Sequence, residues 1–253
     1  MCGIIGYIGS NYNAKEKIMQ GLHHLEYRGY DSAGIAVSFE NKLEIVKAKG
    51  RLNALCEMTD NGATVKGVCG IGHTRWATHG EPSVINAHPH YNSEKTIALV
   101  HNGIIENAQM LKNSLNNKNY KFQSQTDTEV IVHLIDLYYK GDPIEAISNV
   151  MLHIKGSYAL GILFKDFPDE IFAVRKDSPL IIGSADNGNF IASDIPAILK
   201  HTQTVYYLEN MEIAKIKKDD ISFYNIDREK IERKPVHIQM EEETAEKNGY
   251  AHF

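Results

Sequence analysis

Two blocks of short strand-like segments, with helix-like segments around them, constrain the fold of this chain more than any other feature. The first block comprises residues 3–8, 34–39, 43–48, 68–72 and 97–101. The second comprises residues 157–164, 170–175, 180–183, 190–193, 205–208, 212–216 and 221–224, with one short helix near 195–199. Apolar residues recur at helical spacing in Ala14–Leu25, in 127–139 and after Pro143. Because most neighbouring strands have short links, the pattern predicts an α+β sandwich of antiparallel sheets with helices outside them.

The composition describes one globular domain in a reducing compartment. The 253 residues are 43% hydrophobic, close to the upper size for a single core. The formal net charge of −5, with 27 basic residues spread along the chain, argues against a nucleic-acid partner or an acidic membrane surface. The three cysteines, Cys2, Cys56 and Cys69, form no disulfide framework. With no leader and no apolar stretch of membrane-spanning length, the sequence predicts a cytoplasmic protein.

A metal centre is not expected. Four histidines lie in one third of the chain: His73, His79, His88 and His90. They lack the helical i, i+4 spacing that zinc-binding histidines use, and the cysteines contain no CxxC pair. The sequence therefore predicts neither a structural metal nor a cofactor.

The composition changes only towards the C-terminus. Residues 235–248 are acidic and poor in large apolar side chains, which is typical of a solvated linker. The sequence therefore predicts one domain over residues 1–234 and a linker over residues 235–253 that leads towards a further domain.

The cysteine at position 2 is the first candidate for chemistry. Removal of the initiator Met1 would place a thiol and a free α-amine on the same residue. A thiol titrates near ~8.5 and an α-amine near ~7.7–8.0, so the neutral amine can accept the thiol proton at neutral pH. N-terminal-nucleophile hydrolases use this arrangement. The alternative, which an isolated cysteine would favour, is an ordinary side chain in a buried first strand.

Two polar segments between apolar ones contain the next candidates. Residues 26–34, with the sequence EYRGYDSAG, crowd charged residues and glycines between a helix and a strand, and a solvated turn is their simplest interpretation. Residues 72–80, with the sequence GHTRWATHG, place the only tryptophan beside Arg75 at the end of a strand. Arg75 is suited to bind a carboxylate through two parallel hydrogen bonds. The alternative is a surface arginine packed on Trp76.

Two later segments supply hydrogen-bonding groups. Asn102 and Gly103 follow an apolar strand and offer a side-chain amide and an unhindered backbone N–H, the donor pair that an oxyanion hole requires. An ordinary Asn-Gly turn is the alternative. Thr126 or Asp127 caps the following helix in the simplest interpretation. Beside Arg75, however, an exposed Asp127 carboxylate would instead bind a substrate ammonium group.

Six segments, taken in order, resemble those of the class II, N-terminal-nucleophile glutamine amidotransferases. They are MCGI at residues 1–4, LEYRGYDSAG at 25–34, HTRWATHG at 73–80, NAHPH at 86–90, HNGIIEN at 101–107 and TDTE at 126–129. The EYRGYD and RWAT sequences are similar to the branch that makes glucosamine-6-phosphate from fructose-6-phosphate, and differ from the purine-pathway amidophosphoribosyltransferases. The resemblance covers nearly the whole chain. It implies a four-layer sandwich, with two antiparallel β-sheets between helical layers, in agreement with the strand pattern.

The resemblance also implies catalytic and substrate-binding roles. In family terms Cys2 is the nucleophile, and the Asn102 side chain and the Gly103 backbone N–H form the oxyanion hole. Arg75 holds the α-carboxylate of glutamine, and Asp127 holds its α-ammonium. The Cys2 thiolate would attack the side-chain amide and release ammonia, and water would hydrolyse the resulting thioester to glutamate.

Four further residues receive roles from the same resemblance. Thr78 and His79 add substrate contacts from the loop that follows the RW pair. Trp76 is similar to a gate residue on a loop that closes over glutamine and controls the route of ammonia. Arg28 is similar to an arginine near the N-terminal end of the nucleophile.

The resemblance implies a partner half and leaves two other functions open. Relatives in this branch carry two sugar-phosphate isomerase folds that bind fructose-6-phosphate, and they are expected to be homo-oligomers. One alternative is an N-terminal-nucleophile amide hydrolase of the acylase type, against which Arg75 and Asp127 argue. The other is a catalytically silent glutamine-binding module, the expected behaviour of a chain that retains Met1.

Overall fold

The computed structural model of this protein describes residues 2–59 and 65–239. Its strands are β1 (Gly3–Gly9), β2 (Ser32–Phe39), β3 (Lys42–Lys49), β4 (Cys69–Arg75), β5 (His90–Tyr91), β6 (Ile97–Ile105), β7 (Gly156–Phe164), β8 (Ile171–Lys176), β9 (Ile181–Ala185), β10 (Gly188–Ala192), β11 (Thr204–Tyr207), β12 (Glu212–Ile216), β13 (Ile221–Tyr224), β14 (Lys230–Ile231) and β15 (Val236–His237). Its α-helices are α1 (Ala14–Leu25), α2 (Leu52–Met58), α3 (Ala108–Asn116), α4 (Glu129–Tyr138) and α5 (Pro143–His153). Short 3-10 helices cover Glu26–Arg28 and Ile195–Ala197.

The strands form two sheets, and all the strands paired within them are antiparallel. The eight-stranded sheet has the order β15-β11-β9-β10-β1-β4-β2-β3, and the seven-stranded sheet has the order β14-β13-β12-β8-β7-β6-β5. β1 therefore lies inside the first sheet, between β10 and β4. β6 lies inside the second sheet, between β5 and β7, so both strands are held along both edges.

Helices cover the outer face of each sheet. On the eight-stranded sheet, α1 buries Ile18, Leu22 and Leu25. On the seven-stranded sheet, apolar residues of α3, α4 and α5 share one core cluster with those of β6, β7 and β8. A third cluster, which includes Ile71 of β4 and Val100 of β6, lies between the two sheets. These four layers confirm the predicted α+β sandwich with two antiparallel sheets between helices.

Most predicted elements are present, and the differences have local causes. α2 and α3 were not predicted, because they are short and bury few apolar residues, Leu111 and Leu115 in the case of α3. β6 continues four residues beyond the predicted end at residue 101. Asn102 and Gly103 pair with Ala159 and Tyr158 in the sheet, so the Asn-Gly turn interpretation is wrong.

Both ends of the chain contain positions outside the described residues. Val236–His237 pairs with β11, two residues beyond the predicted domain boundary at residue 234. Residues 240–253 of the predicted linker lie outside the described residues, and so does Met1. In the part of the chain that the structure describes, no helix is long and apolar enough to cross a membrane.

Candidate active site

Cys2 lies at the start of β1, next to the end of β4. Because Gly3 pairs with Thr74 in antiparallel register, Cys2 lies opposite Arg75, the last residue of β4, and next to Trp76. The backbone N–H of Trp76 donates to Cys2 Sγ at 3.3 Å. Burial raises the pKa of the Cys2 thiol, and the hydrogen bond from Trp76 opposes this shift. The thiol in this environment is protonated at neutral pH, so a nucleophilic role requires a base nearby.

The backbone carbonyl of Cys2 is fixed by two side chains. Arg28 Nε donates to this oxygen at 3.0 Å, and Asn102 Nδ2 donates to it at 3.0 Å. Arg28 is itself held by Asp194, whose Oδ2 lies 3.0 Å from Arg28 Nη1. The structure thus places Arg28 and Asn102 against the predicted nucleophile, from segments 26 and 100 residues away in the sequence.

Gly103 occupies a position in β6 that favours glycine. Its φ is +133°, and a Cβ at this position would lie 2.0 Å from the backbone oxygen of Ser157 on the neighbouring strand. A side chain would therefore push β7 away from β6. Gly103 lines a small cavity together with Cys2.

Arg75 is a buried residue, so its interpretation as a surface arginine is wrong. It is 3% exposed, and its guanidinium donates to the backbone oxygens of His79 and Gly80. The carboxylate of Asp31 lies 3.9 Å from Arg75 Nη1 and accepts a hydrogen bond from the backbone N–H of Ala77. Arg75 and Asp31 therefore hold the backbone of the loop that follows β4.

Asp127 does not cap a helix. The residue that precedes α4 is Thr128, which makes no side-chain capping bond, and Asp127 Oδ2 accepts a hydrogen bond from the backbone N–H of Ile105 at 2.7 Å. Asp127 is 9% exposed, so the exposed carboxylate that the sequence suggested is in fact buried. Its other oxygen, Oδ1, lies 3.9 Å from His79 Nδ1 and is directed towards the loop after β4.

Seven of the nine predicted site residues line one small cavity, whereas Asn102 and Arg28 contact Cys2 without lining it. It has a volume of about 20 Å³, close to the space of a single water molecule. Its lining includes Cys2, Arg75, Trp76, Thr78, His79, Gly103 and Asp127. The indole of Trp76 remains 47% exposed and packs edge-on against Tyr30, with ring centroids 5.4 Å apart. A cavity of about 770 Å³ elsewhere, between Tyr12 and Pro168, contains none of the predicted residues.

Two residues that contact the site, Asp31 and His73, received no catalytic or binding role from the sequence. Asp31 lies in the EYRGYDSAG segment, and its charge there was the available signal. His73 was considered only as a metal ligand, but its Nε2 lies 3.1 Å from Asn102 Oδ1. No group of three or more histidine, cysteine or acidic side chains in residues 2–59 and 65–239 is arranged to hold a metal ion.

The two antiparallel sheets between helical layers are a fold of the N-terminal-nucleophile type, with Cys2 directly before β1. A family model described as a glutamine amidotransferase domain matches residues 73–200. The chain belongs to this glutamine amidotransferase family, which confirms the resemblance carried by the six sequence segments.

The alignments with curated relatives extend over the whole of this chain. It is 53% identical over 253 residues to the glutamine–fructose-6-phosphate aminotransferase (isomerizing) of Caldanaerobacter subterraneus subsp. tengcongensis. It is 50% identical over 254 residues to the protein of that name from Clostridium acetobutylicum. Each alignment covers 100% of this chain but 41% of the relative.

Among solved structures, the glutamine phosphoribosylpyrophosphate amidotransferase of B. subtilis, complexed with ADP and GMP, has a similar fold. Its TM-score is 0.77 at 30% sequence identity, with 89% of this chain and 49% of that chain covered. The structure of a class-II glutamine aminotransferase domain protein from Silicibacter pomeroyi is similar in fold, with a TM-score of 0.62 at 14% identity.

Proposed function

We propose that this chain hydrolyses the side-chain amide of L-glutamine to glutamate and ammonia through a thioester on Cys2. The observation that carries the proposal is that Cys2, Gly103, Arg75 and Asp127 line one cavity. An α-amino acid with a side-chain amide matches this set of groups. The nucleophile can attack the amide carbon, the N–H donor can bind the amide oxygen, and the two opposite charges can bind the α-carboxylate and the α-ammonium.

The α-amine of Cys2, free once Met1 is removed, acts as the base. It takes the thiol proton, through a bridging water, and the thiolate attacks the amide carbon of glutamine. The C–N bond then breaks, the protonated amine supplies its proton to the leaving nitrogen, and ammonia departs. Water attacks the γ-glutamyl thioester, and glutamate leaves as the thiol of Cys2 reforms.

Asn102 and Gly103 stabilise the oxyanion that forms on the amide oxygen. Asn102 Nδ2 carries two hydrogens, and one of them is donated to the Cys2 carbonyl at 3.0 Å. The second hydrogen and the Gly103 N–H serve as the two donors. Because these groups are fixed before the reaction, they stabilise the developing charge without reorganisation, and loss of one such donor typically lowers the rate ~10²–10³-fold.

Arg75 and Asp127 select glutamine among amides. Both side chains are buried and of opposite charge, so the α-carboxylate and α-ammonium of glutamine match them, whereas an acyl group without these charges gains no binding from either. Thr78 and His79, which line the same cavity, add contacts to the same substituents. Because the cavity holds about one water molecule in volume, the loop with Trp76 must move to admit glutamine, which suits a gate.

In the longer protein, we propose that the ammonia is used to make glucosamine-6-phosphate from fructose-6-phosphate. The name of the curated relatives and the 41% of their length that this chain spans support this assignment. The remaining length would hold the sugar-phosphate isomerase folds, in a cytoplasmic homo-oligomer.

The test combines intact mass with alkylation by a diazoketone analogue of glutamine. We expect loss of the Met1 mass and one adduct, on Cys2. Cys56 is an internal control, because it is also partly exposed but lies outside the cavity. A Cys2→Ala variant should remain unlabelled, and excess glutamine should protect the wild-type chain. Retained Met1 with no adduct would refute the proposal and favour the silent binding module.

A further inference from the structure

His73 lies in β4 with its imidazole ring wholly inside the protein. It is 0% exposed, and its ring stacks on that of His88 with centroids 4.1 Å apart and an interplanar angle of 11°. Its Nε2 faces two oxygens, the backbone oxygen of His101 at 3.0 Å and Asn102 Oδ1 at 3.1 Å. Because the backbone oxygen of His101 can only accept, Nε2 must carry the hydrogen.

The other ring nitrogen fixes the charge of His73. Nδ1 is buried and has no hydrogen-bond partner among the residues that the structure describes. A proton on Nδ1 would therefore be buried without an acceptor. Burial lowers the pKa of His73 to about 3 and outweighs the hydrogen bonds to His101 and Asn102. At neutral pH the ring is neutral, with Nε2–H as its only donor.

This donor and the Cys2 carbonyl together determine which way the Asn102 amide points. The two ends of a side-chain amide have the same shape, so hydrogen bonds decide between its two orientations. In one orientation Oδ1 accepts from His73 and Nδ2 donates to the Cys2 carbonyl at 3.0 Å. In the flipped orientation, Nδ2–H would face the Nε2–H of His73, and Oδ1 would face the Cys2 carbonyl oxygen. Both contacts would then be repulsive.

We propose that His73 is a positioning residue for the oxyanion hole: its Nε2–H holds the Asn102 amide with the N–H groups towards Cys2. This inference rests on the proposed role of Asn102 in glutamine hydrolysis. His73 touches no substrate in this scheme, because its ring is 0% exposed and its contact with the oxyanion hole runs through Asn102. It acts by keeping the amide orientation in which Nδ2 is the donor.

Three variants of His73 separate this role from simple packing. His73→Phe keeps the aromatic ring and removes the donor. His73→Gln places an amide N–H near the position of Nε2, whereas His73→Asn places its amide near the position of Nδ1 and cannot reach Asn102. We expect kcat for glutamine hydrolysis to fall roughly 10–100-fold in His73→Phe and His73→Asn, with KM changed less than about threefold, and His73→Gln to recover most of the rate.

A binding comparison gives a readout that loss of packing would not produce. The aldehyde analogue of glutamine adds to the Cys2 thiol and forms a tetrahedral oxyanion, whereas glutamate forms none. We expect His73→Phe to weaken binding of the aldehyde by about the same factor as kcat and to leave the Kd of glutamate nearly unchanged. If His73→Phe does not fold, the comparison of His73→Gln with His73→Asn decides the matter.

The outcomes distinguish this inference from the proposed function. If wild-type chain hydrolyses glutamine and Asn102→Ala lowers kcat, but His73→Phe matches wild type, the positioning role is wrong and the function stands. If His73→Gln and His73→Asn lose equal activity, the positioning role is also wrong. If processed wild-type chain neither hydrolyses glutamine nor binds the aldehyde, the proposed function itself fails.

Discussion

Replacement of Gly103 by alanine should destabilise the protein through two separable effects. At a φ of +133°, a non-glycine residue carries a strain on the order of 1–3 kcal/mol. The added Cβ would also lie 2.0 Å from Ser157 O and 3.0 Å from Tyr158 Cα, both backbone atoms of β7. An ordinary carbon–oxygen contact needs about 3.3 Å, so β6 and β7 must separate by roughly 1 Å. The ladder bonds around the Gly103–Tyr158 pair then weaken, at about 0.5–1.5 kcal/mol each.

Together these effects predict that Gly103→Ala lowers the free energy of unfolding by ~3–5 kcal/mol. At about 2–4 °C per kcal/mol for a chain of this size, the Tm should fall by roughly 6–20 °C. Gly141→Ala is the matched control, because Gly141 has a φ of +100° and open space where a Cβ would lie. Strain alone should then destabilise it by ~1–2 kcal/mol. Equal urea midpoints for the two variants would refute the argument that β7 excludes a side chain at Gly103.

Two further perturbations test the charges around the site. Arg75→Lys keeps the positive charge but loses the planar guanidinium that can bind a carboxylate through two hydrogen bonds, so KM for glutamine should rise roughly 10–100-fold in a steady-state assay. Arg228→Lys, on the surface, is the control and should leave KM unchanged. An unchanged KM would favour the acylase. Burial raises the pKa of Glu129, but the His133 ring, whose Nε2 lies 3.5 Å from Oε1, and hydrogen bonds from Gln123 and Ser124 lower it to about 2. Ionised Glu129 thus stabilises the folded chain above its unfolded pKa of ~4.3, and this stabilisation disappears as the pH falls towards 2. In urea titrations at pH 7, Glu129→Gln should therefore be ~2–3 kcal/mol less stable than wild type. The difference should be smaller at pH 3.

Local sequence patterns predicted the elements whose signals are local. α1 has apolar residues on one face over three turns, the second position pointed to Cys2, and polar segments between apolar ones contain Arg75 and Asp127. What escaped prediction depends on contacts between distant segments. The bond from Asn102 to the Cys2 carbonyl joins the two sheets across 100 residues, and no spacing in the sequence encodes it. The continuation of β6 through Asn102 and Gly103 depends on pairing with β7, which overrides the turn preference of an Asn-Gly pair.

We propose that the small cavity links recognition of glutamine to movement of the loop after β4. In this structure the guanidinium of Arg75 is occupied by the backbone oxygens of His79 and Gly80. A substrate carboxylate that takes a place on this guanidinium must displace or share these bonds, and the displaced segment is the one that carries Trp76, Thr78 and His79. Because Trp76 N–H also donates to Cys2 Sγ, the same movement changes the environment of the thiol. In this proposal, binding of the α-carboxylate would alter the surroundings of Cys2 without direct contact, and an amide that lacks this group would leave them unchanged.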